Sequence, residues 1–455
     1  MLGTAILTRH IEWGAAAPYD NKCGIKESGL MSFSKRDLLA ALATVTTLFF
    51  AWGFITSMID PLIPSVQAVF SLSNAQSMLT QFAFFLAYGV VSLPAAALVS
   101  RLGYGRSVIC ALLVMVAGCL IVPVATKVET YGLVLVALFV IASGITVLQV
   151  AANPLAAALG PPESSHLRLT LSQAFNSLGT VIGPYLGAVL MLHGGMFGAA
   201  GGAVDAAAQR AESLRNIDTS FFLLAAMIVV LVLFVWKFRH LFKVAPPLVH
   251  EQASVIGALQ SPWALFGAAA IFLYVGAEVA VGSNLINFLH QPDVLGMDKE
   301  EAGKWVSRYW MGAMVGRFVG TALLAKVRAT RLLSVNAFVA AVLCLAVSQG
   351  AGMTSAVCAL AIGLFNSIMF PNIFTLTLER SSASTAATSG LLCMAIIGGA
   401  ILPYLTGVIA DSVGGLSGRH VGFLLPMTAY ALICVFAVTA GRARVVAVAE
   451  TAGMH

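Results

Sequence analysis

Residues 271–281 read Ile271-Phe272-Leu273-Tyr274-Val275-Gly276-Ala277-Glu278-Val279-Ala280-Val281, an acid enclosed on both sides by apolar side chains. No basic residue stands near it in sequence, and the apolar run extends from about 263 to 289. Twenty or so apolar residues are the length of a bilayer-crossing helix. An ionised carboxylate at the centre of such a helix costs about 3 kcal/mol or more, so it faces a partner, a cavity or a passing solute. A second acid, Asp60, lies in another apolar stretch with Thr56 one helical turn before it. Pro61 follows directly, and its missing N–H predicts a kink or a freed carbonyl beside the acid. An end-capping Asp60 is the alternative, opposed by the apolar residues that resume at Leu62-Ile63-Pro64.

Composition extends this reading to the whole chain. Of 455 residues, 59% are hydrophobic and 10% charged, against about 25% charged in soluble domains. The mean hydropathy of +0.92 makes the bilayer the main solvent. Net charge +6 does not signal nucleic acid, because the basic residues punctuate apolar runs rather than forming a stripe. The seven cysteines form no CxxC pair and read as small buried hydrophobes. No metal cluster, nucleophile–base pair or GxxxxGK[ST] phosphate loop is present, so neither an enzyme nor an ATP-driven pump is expected.

Twelve apolar segments emerge, near 40–62, 77–99, 107–126, 132–158, 170–192, 219–237, 263–289, 304–326, 332–350, 354–378, 386–410 and 422–440. Helices are expected, since only they satisfy every backbone group within one segment in lipid. Lys and Arg gather after the even-numbered segments, at Arg101, Arg106, Arg168, Lys237, Arg239, Lys326, Arg328 and Arg380. That asymmetry predicts both termini on the cytoplasmic side. Residues 1–38 lack the contiguous apolar core of a secretory signal, and Met31 is a possible alternative start.

The chain also repeats itself. Asn153 and Asn372 lie 219 residues apart, and so do Pro184-Tyr185-Leu186 and Pro403-Tyr404-Leu405. The same offset carries Asp60 to within one residue of Glu278. The expected organisation is a cytoplasmic tail (1–38), a six-helix half (39–237), a connector (238–262), a second half (263–441) and a tail (442–455). Parallel halves that bind a solute between them at mid-membrane define the major facilitator architecture. The fold class is thus an all-α, twelve-helix membrane protein of that kind.

Amides supply the remaining candidates. Gln149 and Asn153 share one helix face, Gln173 and Asn176 another, and Asn284 follows Glu278. Amides both donate and accept, which suits a hydroxyl-rich solute; they also join helices to each other in membranes. The aromatic residues Phe84, Phe85, Tyr88, Trp305, Tyr309 and Trp310 either stack on a sugar or anchor the interface. The histidines fall in loops or near helix ends and are given no role.

Several motifs carry a resemblance. The runs Ala142-Ser143-Gly144-Ile145-Thr146-Val147-Leu148-Gln149-Val150-Ala151-Ala152-Asn153-Pro154, Leu159-Gly160-Pro161-Pro162-Glu163, Gln173-Ala174-Phe175-Asn176-Ser177, Gln81-Phe82-Ala83-Phe84-Phe85 and Tyr274-Val275-Gly276-Ala277-Glu278-Val279 occur in order. Together they resemble the fucose permease family of the major facilitator superfamily, in its glucose/galactose transporter branch. The resemblance implies cation-coupled import of a monosaccharide of the glucose/galactose type by a monomer in the inner membrane. It implies Asp60 and Glu278 as the coupling acids for a proton or a sodium ion, with no cofactor. It places Gln149, Asn153, Gln173, Asn176, Asn284, Gln81 and Tyr309 on the substrate.

Arg101-Leu102-Gly103-Tyr104-Gly105-Arg106 and Gly316-Arg317-Phe318 resemble the superfamily's paired loop motifs, so Arg101, Arg106 and Arg317 are expected at an inward-side gate. Three departures stand out: Ser100 replaces the usual acid before Arg101, Gln149 replaces a fourth-helix acid, and Ile59 replaces the Asn before the first-helix acid. A proton-driven exporter is the alternative, signalled by Gly179-Thr180-Val181-Ile182-Gly183-Pro184-Tyr185-Leu186-Gly187.

Overall fold

A computed structural model describes residues 35–72, 79–191, 206–245, 255–297, 299–413 and 420–445, and these contain helices and no strand. Side chains of Ile59 and Asp60 lie outside the described set, as do Cys23, the Gly-rich stretch at 194–202, most of both expected tails and residues 246–254 of the expected connector. From Arg36 onward the chain forms one compact unit.

Among the described residues, ten helices are long and apolar enough to cross a membrane. One of them, Leu79–Lys127, has 49 residues. At 1.5 Å per residue it would measure about 73 Å, more than twice the bilayer core, so it cannot be one span. It is broken at Gly103, whose φ of 73° belongs to the left-handed region that a side chain disfavours. The two arms, 79–102 and 104–127, are the second and third spans. A further helix, Lys299–Leu324, carries too many charges to register as apolar, yet its 26 residues are long enough to cross. The total is twelve.

The first span is Lys35–Ser57 continued by Ile59–Val69; the fourth, fifth and sixth are Tyr131–Ala158, Ser165–Met191 and Ala206–Phe238. The seventh, eighth and ninth are Pro262–Leu289, Lys299–Leu324 and Ala329–Gln349. Gly352–Asn366 with Met369–Leu378 makes the tenth. Thr385–Met394 and Gly398–Val413, joined by the 3-10 turn Ala395–Ile397, make the eleventh, and Leu424–Arg442 the twelfth.

Prolines explain where these helices break and where they offer free acceptors. A proline cannot donate to the carbonyl four residues earlier. Pro61 leaves Ser57 O without its helical donor, and the first span breaks next door at Met58. Pro371 does the same to Ser367 O, where the tenth span breaks. Pro154 frees Val150 O within an otherwise continuous fourth span, and Ser389 Oγ of the eleventh span donates to it at 2.9 Å. This last bond joins the two halves.

Other contacts between halves run from the end of the molecule that carries Arg168 and Arg380 to mid-span, where a Cβ on Gly89 would meet Ile397 and one on Gly399 would meet Phe85. Gly390 lies so close to the second span that a Cβ there would come within 2.7 Å of Ala96 Cβ. Phe175 of the fifth span meets Phe318 of the eighth with ring centroids 6.0 Å apart. Within the first half, the Gly-Pro run of the fifth span packs on the first. A Cβ on Gly179 would lie 2.3 Å from Phe50 O, and one on Gly183 would lie 2.1 Å from Ser57 Oγ. The run that suggested an exporter therefore has a packing role in this structure.

Gly179→Val is expected to force these helices apart and destabilise the protein by about 1–3 kcal/mol, the usual cost of overpacking. Gly132→Val, where nothing lies within 4 Å of the added carbon, should leave the melting temperature in detergent unchanged. Equal melting of the two variants would contradict the packing described.

Candidate functional site: a charged cavity between the halves

Helical spacing brings polar side chains from both halves to one place. Gly53 and Thr56 share a face of the first span, as do Gln173, Asn176 and Thr180 of the fifth and Tyr274 and Glu278 of the seventh. Together with Trp52, Tyr88, Gln149, Arg317 and Phe370 they line a cavity of about 160 Å³. That is space for several waters at about 30 Å³ each, more than a packing defect.

Glu278 and Arg317 dominate its electrostatics. Arg317 Nη2 lies 3.6 Å from Glu278 Oε1, and the side chains are only 13% and 12% exposed. Arg317 Nε donates at 3.0 Å to Ser367 O, the carbonyl that Pro371 freed. Its Nη1 donates to Ser177 Oγ of the fifth span, across the boundary between halves. One guanidinium thus joins the fifth, seventh, eighth and tenth spans. The pair's Coulomb attraction is about 4–5 kcal/mol at an effective dielectric of 20, and desolvation, several kcal/mol for each ion, exceeds it. Glu278 Oε1 and Thr56 Oγ1 are buried without a hydrogen-bond partner, so the wall keeps polar capacity to spare.

The expected amides divide into two groups. Gln149, Gln173 and Asn176 line the cavity. Gln149 Nε2 is held by Tyr88 Oη at 2.6 Å, and Asn176 Nδ2 donates to Phe49 O at 2.9 Å. Asn153 instead sits fully buried behind Gln173, whose Nε2 donates to its Oδ1 at 3.2 Å. Asn284 donates to Ala280 O at 2.8 Å and borders a separate small cavity with Thr406. Gln81 is exposed near the start of the second span.

Tyr309 does not line the cavity either. It is fully buried behind the seventh span, donates to Glu278 O at 3.0 Å and accepts from Asn366 Nδ2 at 2.8 Å. Its hydroxyl is spent on holding the backbone of Glu278 in place. Arg101 and Arg106 are exposed at the Gly103 break, whereas Arg317, expected with them at a gate, is the cavity's cation. The sequence holds one hint of this: Arg317 lies seven residues before Leu324, about 10 Å inside the nearer end of its helix. Its place within a loop-motif likeness obscured it. For Asp60 the structure supplies the backbone alone, within the continued first span.

The histidine reading also needs correction. His166 at the start of the fifth span reaches Glu379 Oε1 at 3.0 Å, and its Nδ1 bonds Thr375 Oγ1. Ser165 Oγ donates to the same carboxylate at 3.2 Å, and Arg380 Nη1 donates to Glu379 Oε2 at 3.0 Å. Burial alone would push the Glu379 carboxyl up, but His166 and Arg380 outweigh it and hold it below the usual carboxylate range. A depressed carboxylate contributes its stabilisation above its unfolded-state value, about 4.3, and loses it only as pH falls through the lower folded-state value. Glu379 therefore stays ionised at neutral pH.

This geometry can be set beside known proteins. Residues 45–392 match the model of the Major Facilitator Superfamily. The chain belongs to the Major Facilitator Superfamily. Within this superfamily it is 43% identical over 409 residues to a glucose/galactose transporter of Brucella abortus, covering 89% of this chain and 94% of that one. It is 29% identical over 417 residues to the L-fucose-proton symporter of Escherichia coli, covering 88% and 93%. Its structure is similar to that of the Major Facilitator Superfamily transporter FucP in the outward conformation. That match has a TM-score of 0.80 and 28% identity, over 89% of this chain and 99% of the other. The twelve-helix architecture read from hydropathy is thus the superfamily's.

Glu278→Gln is expected to destabilise the protein by about 3–5 kcal/mol, because it strands a buried guanidinium. Adding Arg317→Gln should restore most of that loss. Thermal unfolding in detergent checks the cycle, and additive losses would show that the two side chains do not interact.

Proposed function

We propose that this protein is a proton-coupled symporter that imports a monosaccharide of the glucose/galactose type by alternating access. The observation that carries the reading is the buried Glu278–Arg317 pair on the wall of an amide- and aromatic-lined cavity between the halves. The named relatives support the solute class and, through the fucose-proton symporter, the coupling ion. The protein is a transporter and not an enzyme.

The wall suits a sugar. Gln149, Gln173 and Asn176 offer donors and acceptors to hydroxyls, and Trp52, Tyr88 and Phe370 offer apolar faces to the ring. A hydroxyl left unpaired on binding costs about 1–3 kcal/mol, so the amides set specificity. The charges favour a proton over sodium. A proton bonds to one carboxylate oxygen and needs no further ligands, whereas a sodium ion needs several oxygen ligands and would share the carboxylate with the guanidinium 3.6 Å away. Asp60 is the second coupling acid in this reading, supported by its near-match to Glu278 in the repeat.

In the proposed cycle residues 39–237 rock against 263–441. The positive-inside distribution puts the Arg168–Arg380 end and both termini in the cytoplasm. The His166–Glu379 and Ser389–Val150 contacts then close the inward side, in keeping with the outward conformation of the similar transporter. They must part before solute is released inward, and ionised Glu379 makes rearrangement rather than its titration the trigger. The protein acts as a monomer in the inner membrane, since one chain contains the whole cavity.

Labelled-sugar uptake in transporter-deficient cells tests this. Glucose or galactose should accumulate under an inward proton gradient and not under a sodium gradient. Resistance to toxic compounds without uptake of any sugar would overturn the proposal in favour of an exporter. Asp60→Asn and Glu278→Gln are each expected to abolish accumulation, while counterflow exchange survives in Asp60→Asn. Normal accumulation by either variant would remove that acid from the coupling.

A further inference from the structure

The departure at Ser100 has a structural counterpart. Serine carries no charge to offer the arginine that follows, and its Oγ donates to Ala97 O at 3.0 Å. Arg101 and Arg106 are exposed, and among the described residues neither forms an ion pair with a carboxylate. Between them Gly105 lies against the 3-10 segment Arg239–Val244 that ends the sixth span. A Cβ there would be 3.5 Å from Phe242 and 3.8 Å from Arg239 O. Two basic chain segments distant in sequence therefore meet at Gly105, next to Arg106 and against Arg239.

The second segment is organised by stacking. The Arg239 guanidinium lies 3.9 Å from the centre of the Trp236 ring, and Trp236 is itself 56% exposed. Lys237 Nζ sits 5.7 Å from the Phe238 ring. Arg239, Lys237 and His240 are exposed, and none of them is ion-paired among the described residues. A guanidinium restrained over an indole remains free to meet a phosphate with its forked donors. Tryptophan at the end of a spanning helix marks headgroup depth.

We infer that Arg101, Arg106, Lys237 and Arg239, with Trp236 as platform, hold the phosphate of an anionic phospholipid where the second, third and sixth spans leave the membrane. Charge complementarity commits the site to that occupant: the cluster is cationic, pairs with no carboxylate among the described residues and stands at headgroup depth. The lipid would tie the Gly103 break to the end of the sixth span. This inference does not depend on the transported solute, so failure of sugar uptake leaves it intact.

The test uses the full chain. Native mass spectrometry in detergent, with added phosphatidylglycerol or phosphatidylcholine, measures lipid retention. Arg101→Gln, Arg106→Gln and Arg239→Gln should each weaken phosphatidylglycerol binding about fivefold, as expected for one basic residue at an anionic surface. The triple variant should lose about a hundredfold, with phosphatidylcholine binding unaffected. Lys326→Gln with Arg328→Gln and Arg331→Gln removes the same charge from the corresponding loop of the other half and should change little.

An equal loss in that control would reveal only diffuse attraction and overturn the site. Competition by millimolar inorganic phosphate as effective as by lipid would overturn the lipid assignment. Trp236→Ala preserves charge and is expected to weaken phosphatidylglycerol binding several-fold. It keeps the proposal testable if the triple variant fails to fold, and unchanged binding in it would remove the platform.

Discussion

The Glu278–Arg317 pair is the interaction on which the arrangement of this protein depends. Neither charge is tolerable alone in hydrocarbon, and the pair at 3.6 Å recovers only part of what desolvation removes. Further hydrogen bonds are therefore needed, and Arg317 finds them on Ser367 O and Ser177 Oγ. Tyr309 and Asn366 hold the backbone beneath Glu278 from behind. The result draws four spans, and both halves, toward one point.

Broken backbone ladders serve the same end. Lipid offers no water to a carbonyl released by proline, so another protein group must take it. Ser367 O, released by Pro371, is taken by Arg317. Val150 O, released by Pro154, is taken by Ser389 from the opposite half. The prolines thus provide acceptors at the seam, while glycines such as Gly390 let the backbones approach closely enough to use them. A contact made of one or two hydrogen bonds can also be exchanged for another, which a cavity that opens alternately to each side requires.

Much of this was legible in the chain. Apolar length gave the twelve spans, including the charge-bearing eighth and the second and third as separate segments, which the structure joins across the break at Gly103. The 219-residue repeat exposed the two halves, and its equivalence persists in detail: Tyr185 and Tyr404 are each 72% exposed. Of the residues expected on solute or ion, Gln149, Gln173, Asn176 and Glu278 reached the cavity wall. Asn153, Asn284 and Tyr309 did not, because residue type and register say which face a side chain occupies but not what lies opposite. An amide or phenol is equally suited to a solute and to a neighbouring helix, and only the neighbour's position decides. His166 was passed over for the same reason: its partner Glu379 is more than two hundred residues away in the chain.

Hydrophobic content and periodicity by themselves determined the solvent, the helical class, the number of spans and the duplication. These are local properties, governed by the transfer of each segment into lipid and the satisfaction of its own backbone. The tertiary structure alone decided that Arg317 belongs to the cavity rather than to a surface gate, that His166 bridges the halves and that Tyr309 supports the acid from behind. Those outcomes depend on which helices pack side by side, because a charge or polar group buried in a membrane protein takes whatever partner the packing brings within reach.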